Sequence, residues 1–304
     1  MKTYLVTRTH GLILSLIKSE EYNLLISGKI DLNKIGYNVS FEKDFVEKIF
    51  NAIVGKFVDR IVFLEKITPD YSDFFRAFLE RLEVENIKAK LRYLRGFKNK
   101  EVYYPYEYFI SKKDLMLINN EYELLNFLKN TPLDITYYIN KLKNEDEKDL
   151  VIKEILLDIK YYEYYFSTLK EFKKFLFPMV NLERIITYIF WCTMIGEEKI
   201  SKLLLLFNIK NLNYAEISHA LGLSKNDLQR HLENKHYMRL LEIAEDNFIK
   251  KLKKNVLRNK DNIFFVYYYM IASYYEMKNL EKILLGRKIG LRPEVIRGTL
   301  KLFI

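Results

Sequence analysis

Apolar residues recur every three or four positions along most of this 304-residue chain. In LEIAEDNFIKKLKKNVL at 241–257, charged residues, many of them lysines, separate a stripe of Leu241, Ala244, Phe248, Leu252 and Val256. Such spacing places apolar side chains on one face of an amphipathic helix. Glycine (10 residues) and proline (5) are scarcer than in sheets joined by tight turns, and no strand alternation bounded by hairpin turns occurs. The sequence therefore predicts an all-α fold.

Three segments spaced roughly 100 residues apart share a pattern. They read VENIKAKLRYLRG at 84–96, VNLERIITYIFW at 180–191 and MKNLEKILLGRKIG at 277–290. Each contains an asparagine followed by Ile or Leu, namely Asn86, Asn181 and Asn279. A long internal period predicts repeated helical units, here residues 1–105, 106–208 and 209–304. Chance similarity between amphipathic helices is the alternative.

Three stretches resemble the C-type subunit of the archaeal A-type and V-type rotary ATPases, whose eukaryotic counterpart is the d-type subunit. The most specific is EMKNLEKILLGRKIGLRPEVIRGTL at 276–300, with an Asn-Leu, an Ile-Leu pair, Gly-x-Lys, Gly-Leu and Pro-Glu-x-Ile. The second is IKEILLDIKYY at 152–162, and the third is TRTHGLILSLIKSEEYNLLI at 7–26. The resemblance spans essentially the whole chain. Arg292 departs from it, because a capping Ser is common at that place.

This resemblance implies a fold and a role. The fold would be a funnel of three similar helical domains around a pseudo-threefold axis. The role would be that of a non-catalytic central-stalk subunit, which transmits torque and binds no cofactor and no small-molecule substrate. Its partners would be the central-shaft subunits of D and F type and the membrane rotor ring. The protein would then be cytoplasmic and peripheral at the membrane.

The excess positive charge lies near the carboxyl end. The formal net charge is +10, and residues 250–304 hold 13 Lys or Arg against 4 Asp or Glu. Such a region attracts an acidic partner, whether protein, nucleic acid or anionic membrane. The candidate interface residues are Arg92, Arg95, Arg287, Lys288, Arg292 and Arg297. The alternative for each is a solvated surface charge.

Motifs for catalysis or metal binding are absent from the sequence. It contains no phosphate-binding G-x-x-x-x-G-K-[ST] or G-x-G-x-x-G and no G-x-S-x-G nucleophile elbow. The histidines, His10, His219, His231 and His236, form no metal-ligand pattern, and the single Cys192 is predicted to be a buried apolar residue. We predict neither enzymatic activity nor a metal site. The most apolar windows span about 11 to 13 residues, whereas a membrane span needs about 20.

Residues 216–232, EISHALGLSKNDLQRHL, have the rhythm of a helix-turn-helix. Lys225, Gln229, Arg230 and His231 on its second helix are side chains that can contact bases or phosphates. Nucleic-acid binding by this segment and the basic carboxyl-terminal region is therefore the alternative function. The same Gly-Leu turn recurs at Gly290, which indicates a structural corner instead. We predict that Ser224 caps the second helix, with Asp227 in its first turn.

Overall fold

The computed structural model describes residues 2–97, 102–142, 149–207, 214–258 and 262–303. These residues form α-helices joined by turns and short 3₁₀ segments, and no strand occurs among them, which confirms the all-α prediction. The helices are α1 (Lys2–Leu12), α2 (Ser19–Ile26), α3 (Val46–Ile67), α4 (Ser72–Leu94), α5 (Lys112–Leu117), α6 (Glu121–Leu128), α7 (Thr136–Lys141), α8 (Leu150–Thr168), α9 (Lys173–Ile195), α10 (Glu197–Leu206), α11 (Tyr214–Leu221), α12 (Lys225–Glu233), α13 (Tyr237–Arg258), α14 (Ile263–Lys288) and α15 (Pro293–Thr299).

The chain divides into two compact units. The first comprises Met1–Glu83, Lys100–Lys112 and Val256–Ile304, and the second comprises Val84–Asn99 and Lys113–Asn255. The first unit thus combines the two ends of the chain, and the boundary after Glu83 falls within α4. Three repeats with boundaries at 105 and 208, arranged as a funnel, stay a prediction.

Helix α14 is the centre of the first unit. It packs against α3 and α1, and α15 packs against both α14 and α2. Tyr267, Tyr269, Ile271 and Ile283 of α14 are completely buried, on more than one side of the helix. A helix that is apolar on all sides is a core helix, because each face needs an apolar neighbour. The aromatic stretch VYYYM at 266–270 is therefore core.

Helix α9 is the centre of the second unit. It packs against α8, α10 and α11, and α11 packs against α12. Residues Lys170–Ile195 are long and apolar enough to cross a membrane by length and composition, a longer run than the sequence windows indicated. More than half of its most apolar window is buried inside the protein. The core helix of a soluble protein has the same properties, so the segment is weak evidence for membrane insertion.

Thr68 followed by Pro69 has the pattern of a helix start, in which the threonine hydroxyl caps and proline takes the first helical position. Pro69 does begin a 3₁₀ turn, Pro69–Tyr71, directly before α4. The Thr68 hydroxyl, however, donates to the carbonyl oxygen of Leu64 at 2.6 Å and caps nothing. Thr68 is fully buried at the end of α3, where that carbonyl is the acceptor within reach.

Candidate protein interface

Residues 285–299, which we call the C-terminal corner, end α14, turn sharply and form α15. Gly290 has φ +71°, a left-handed conformation that glycine adopts without steric cost. The N–H of Leu291 donates to the carbonyl oxygen of Gly286 at 2.9 Å, and the N–H of Gly290 donates to that of Arg287 at 3.2 Å. This hydrogen-bond pair is typical of a Schellman helix end. Arg292 provides no side-chain cap for α15, as its departure from the family pattern predicted.

Polar contacts fix the corner and the chain that follows it. The Lys282 ammonium donates to the carbonyl oxygen of Thr299 at 2.9 Å. Asn279, which is 1% exposed, donates to the carbonyl oxygen of Lys301 at 2.8 Å and accepts the N–H of Lys301 at 3.0 Å. The Arg297 guanidinium donates to the Asn23 side chain of α2 at 2.9 Å. Hydrogen bonds to α14 and to α2 therefore hold the corner and the residues after it in place.

Four aliphatic side chains on the corner are exposed. Leu285 is 56% exposed, Ile289 69%, Leu291 41% and Val295 50%. Sequence reasoning missed them. The spacing of apolar residues predicts which face of a helix packs on a core, but it does not show whether apolar side chains at the end of the helix are buried or exposed. Exposed apolar side chains grouped within a short segment and rimmed by polar groups are typical of protein or membrane contact sites.

The cations of the corner fall into two classes. Arg287 donates to the carbonyl oxygen of Leu25 at 3.4 Å and lies 5.0 Å from the centre of the Phe41 ring. Arg287 and Arg297 therefore contact other residues of the first unit. Lys288 and Arg292 are exposed, and neither forms a hydrogen bond or ion pair with a side chain in the described part of the chain. These two cations remain available to a partner.

Gly286 allows α15 to approach α14 closely. A Cβ atom at this position would lie 2.7 Å from Cγ1 and 2.9 Å from Cδ1 of the buried Ile296. Replacing Gly286 by alanine is expected to destabilise the protein by about 1–3 kcal/mol, because overpacking outweighs the gain in helix propensity. The measurement is urea unfolding followed by circular dichroism. Gly298→Ala in α15 is the matched control, since nothing lies within 4 Å of its Cβ position. We expect that control to be neutral or slightly stabilising, and an equal loss in both variants would contradict the close approach.

Arg92 and Arg95, the other predicted interface residues, contact acids of their own unit. Arg92 forms a two-point ion pair with the buried Glu154, at 2.7 Å for both contacts. Arg95 contacts Glu121, which also accepts a hydrogen bond from the ammonium of the buried Lys153. These carboxylates belong to the chain itself, so both arginines contribute to the internal structure of the second unit. Contact with a partner stays a prediction for them.

Glu276 is the centre of a buried polar cluster in the first unit. One carboxylate oxygen accepts the N–H of Ile17 at 2.7 Å, and the other accepts the Tyr37 hydroxyl at 2.6 Å and the Arg60 guanidinium at 2.7 Å. Arg60 also donates to the carbonyl oxygen of Ser15 at 3.0 Å. Fully hydrogen-bonded clusters of this kind specify one arrangement of the elements they join. Glu276 thereby fixes α14 to α3 and to the segments around residues 15–17 and 37.

Glu80 and Glu83 of α4 are both fully buried. Glu83 accepts the backbone N–H groups of Tyr108, Phe109 and Ile110, and so holds that segment against α4. Glu80 lies within hydrogen-bonding reach of the Glu83 carboxylate, and its oxygens meet no other partner among the described residues. Burial, with the nearby Glu83 charge, raises the pKa of Glu80 well above its ordinary value. Burial therefore favours the protonated, neutral form of Glu80.

Replacing Glu80 by glutamine is expected to stabilise the protein at pH 8. In the unfolded chain Glu80 ionises near a pKa of about 4.3. The folded protein holds the proton to higher pH. The contribution of this proton to the free energy of unfolding is therefore fully present below the unfolded pKa and is lost as pH rises toward the folded pKa. Neutral glutamine removes this loss, so the expected gain grows by about 1.4 kcal/mol for each pH unit above the unfolded pKa, up to the folded pKa. Urea unfolding from pH 4 to 8 measures it. A gain that does not shrink toward pH 4 would refute this assignment.

Cys192 lies on the inner side of α9 and is 2% exposed. Burial raises the pKa of its thiol to about 12, so very little reactive thiolate is present at neutral pH. The prediction of a buried apolar residue is confirmed. Among the described residues, no three His, Cys, Asp or Glu side chains form a cluster suited to a metal ion.

The helix-turn-helix segment repeats the geometry of the C-terminal corner. Gly222 has φ +64°, and the N–H of Leu223 donates to the carbonyl oxygen of Ser218 at 3.1 Å, as Leu291 does to Gly286. Ser224 accepts the N–H of Asp227 at 3.1 Å, which confirms the predicted cap. On α12, Gln229 donates to Glu233 and Arg230 pairs with Asp227.

The α13 side chains Asn247 and Lys251 donate to carbonyl oxygens of Leu221 and Ala220 at the end of α11. The turn thus packs as one corner of the second unit. Nucleic-acid binding by residues 216–232 stays an alternative prediction. A mobility shift of a labelled DNA duplex at low salt tests it.

The repeated asparagines do not share one environment. The side-chain amide of Asn279 donates one hydrogen bond to the backbone of Lys301 and accepts another from it. The buried Oδ1 of Asn181, by contrast, has no hydrogen-bond partner in the part of the chain that the structure describes. Asn86 is 3% exposed. Three positions before these asparagines stand Glu83, Pro178 and Glu276, so the first and last of the predicted repeats share a Glu-x-x-Asn pair. In both, that glutamate accepts backbone N–H groups.

The chain was compared with models of protein families, with curated proteins and with solved structures, and none of them matches it.

Proposed function

We propose that this protein is a non-catalytic central-stalk subunit of an A-type or V-type rotary ATPase. It would join the central shaft, formed by subunits of D and F type, to the membrane rotor ring. The observation that carries the proposal is the segment 276–300. It has the most specific resemblance to the family, and it contains the C-terminal corner, whose exposed Lys288 and Arg292 have no internal partners among the described residues.

Two further observations support this role. Buried ion pairs and polar clusters, such as Glu276 with Arg60 and Lys88 with Asp158, hold the helices in fixed arrangements. A part that transmits torque must resist deformation, and satisfied buried networks provide that rigidity. The shared Glu-x-x-Asn pair of the first and last repeats also agrees with the internal repetition expected of the family.

Co-elution tests the proposal. The purified protein is mixed with the shaft subunits of the same organism, and separately with the detergent-solubilised rotor ring, and each mixture is analysed by gel filtration. We expect one complex in each case, with association that weakens as salt is added, because rim charges steer the encounter. Failure to co-elute with both partners would exclude the central-stalk role.

A further inference from the structure

We propose that the C-terminal corner binds an amphipathic α-helix of a protein partner, with Lys288 and Arg292 opposite acidic residues on that helix. The partner's apolar side chains would cover Leu285, Ile289, Leu291 and Val295. The identity of the partner as a rotor component rests on the proposed function. The chemistry of the site rests on the corner alone.

The positive charges of Lys288 and Arg292 favour a partner with acidic side chains. Glu294 is the only acid between residues 282 and 301, and the exposed Lys288 and Arg292 lack internal partners within the described residues. Truncating or reversing charges that meet a partner mainly changes the rate of association and its salt dependence. An acidic rim on the partner would satisfy both cations, whereas a second copy of this surface would place like charges together.

The apolar half of the site favours a protein over a lipid surface. The side chains exposed on the corner are aliphatic, and no Trp, Tyr or Phe occurs between residues 285 and 299. Membrane-surface segments normally combine aromatic anchors with clusters of at least four cations. Here two available cations stand beside an exposed acid, Glu294. Exposed leucine, isoleucine and valine side chains suit contact with the apolar face of an amphipathic helix.

The rigidity of the corner also favours binding. The turn at Gly290, the close contact of Gly286 with Ile296 and the bond from Arg297 to Asn23 keep these aliphatic side chains outside the core. A surface that is already ordered loses little conformational freedom when a partner binds. The corner is therefore prepared for docking before any partner arrives.

The test uses a fluorescent 18-residue peptide with leucines on one helical face and glutamates beside them. A scrambled peptide of equal composition is the ligand control, and fluorescence anisotropy gives Kd. We expect Lys288→Glu with Arg292→Glu, and separately Leu285→Gln with Ile289→Gln, to weaken binding at least about tenfold. The protein control is Lys225→Glu with Arg230→Glu, which makes the same charge change on α12 and should bind normally. Circular dichroism checks that every variant folds.

Three outcomes of the binding assays would overturn the inference. The first is equal weakening in the corner and α12 charge variants, which would indicate non-specific attraction. The second is binding to phosphatidylserine vesicles that the corner variants lose while peptide binding persists, which would indicate a membrane surface. The third is equal affinity for the scrambled peptide. Peptide binding at the corner without co-elution with shaft or ring would refute the rotor function only. Co-elution that survives the corner substitutions would refute this inference only.

Discussion

Replacing Glu276 by alanine is expected to lower the free energy of unfolding by about 3–5 kcal/mol. The substitution leaves the Arg60 guanidinium buried without its carboxylate and removes the acceptor for the Ile17 N–H and the Tyr37 hydroxyl. An uncompensated buried charge costs far more than a lost surface ion pair. Urea unfolding at pH 7, followed by far-ultraviolet circular dichroism, measures the loss.

A second substitution separates the cost of the orphaned charge from the value of the pair. In Glu276→Leu with Arg60→Met, no buried charge remains, so we expect a smaller loss than in Glu276→Ala alone. Tyr37→Phe removes one hydrogen bond to a charged group and should cost about 1.5–3 kcal/mol. If the double variant were as unstable as the single one, packing rather than the buried charge would dominate this cluster.

Replacing Asp158 by alanine is expected to destabilise the second unit by a similar amount, about 3–5 kcal/mol. Asp158 accepts the Lys88 ammonium at 2.5 Å and the Trp191 indole N–H at 3.0 Å, and the Lys88 side chain is 8% exposed. Burial alone lowers the pKa of Lys88, but Asp158 and Glu85 more than offset this and keep the pKa above its ordinary value. Without Asp158, a buried ammonium keeps only Glu85. Thermal and urea unfolding measure the effect.

Glu85→Ala is the matched control for the Lys88 cluster. Glu85 contacts the same ammonium at 2.9 Å, but its side chain is 44% exposed. Water screens such a contact, so we expect a loss of at most about 1 kcal/mol. Losses of equal size for Asp158→Ala and Glu85→Ala would show that burial does not set the strength of these contacts.

The sequence pattern predicted the helices well because helix formation depends on local spacing. The stripe through Phe248 and Leu252 in α13 is buried as expected, and Ser224 caps α12 by a bond to a residue three positions away. Thr68 shows the limit of the method. Its pattern is that of a cap, but its burial at the end of α3 leaves the Leu64 carbonyl as its acceptor.

Long-range polar pairs were beyond sequence reasoning. Arg60 and Glu276 are 216 positions apart, and Arg92 and Glu154 are 62 apart, so no local pattern links them. Arg92 was therefore expected to face a partner, and the structure gives it an internal acid. Lys288 and Arg292 were predicted as interface candidates from the excess of positive charge, and their contact with a partner stays a prediction. The exposed apolar residues beside them were not predicted.

The burial of Cys192 has a practical consequence for following this protein at work. Its thiol is enclosed in the core and is mostly protonated at neutral pH, and it is the only cysteine in the sequence. A maleimide dye should therefore react slowly with the native protein. A cysteine introduced at the exposed position 298, where a Cβ atom meets nothing within 4 Å, would then carry a single dye at a known point, and the natural thiol could stay in place. The arrival of the proposed partner at the corner could then be observed one molecule at a time.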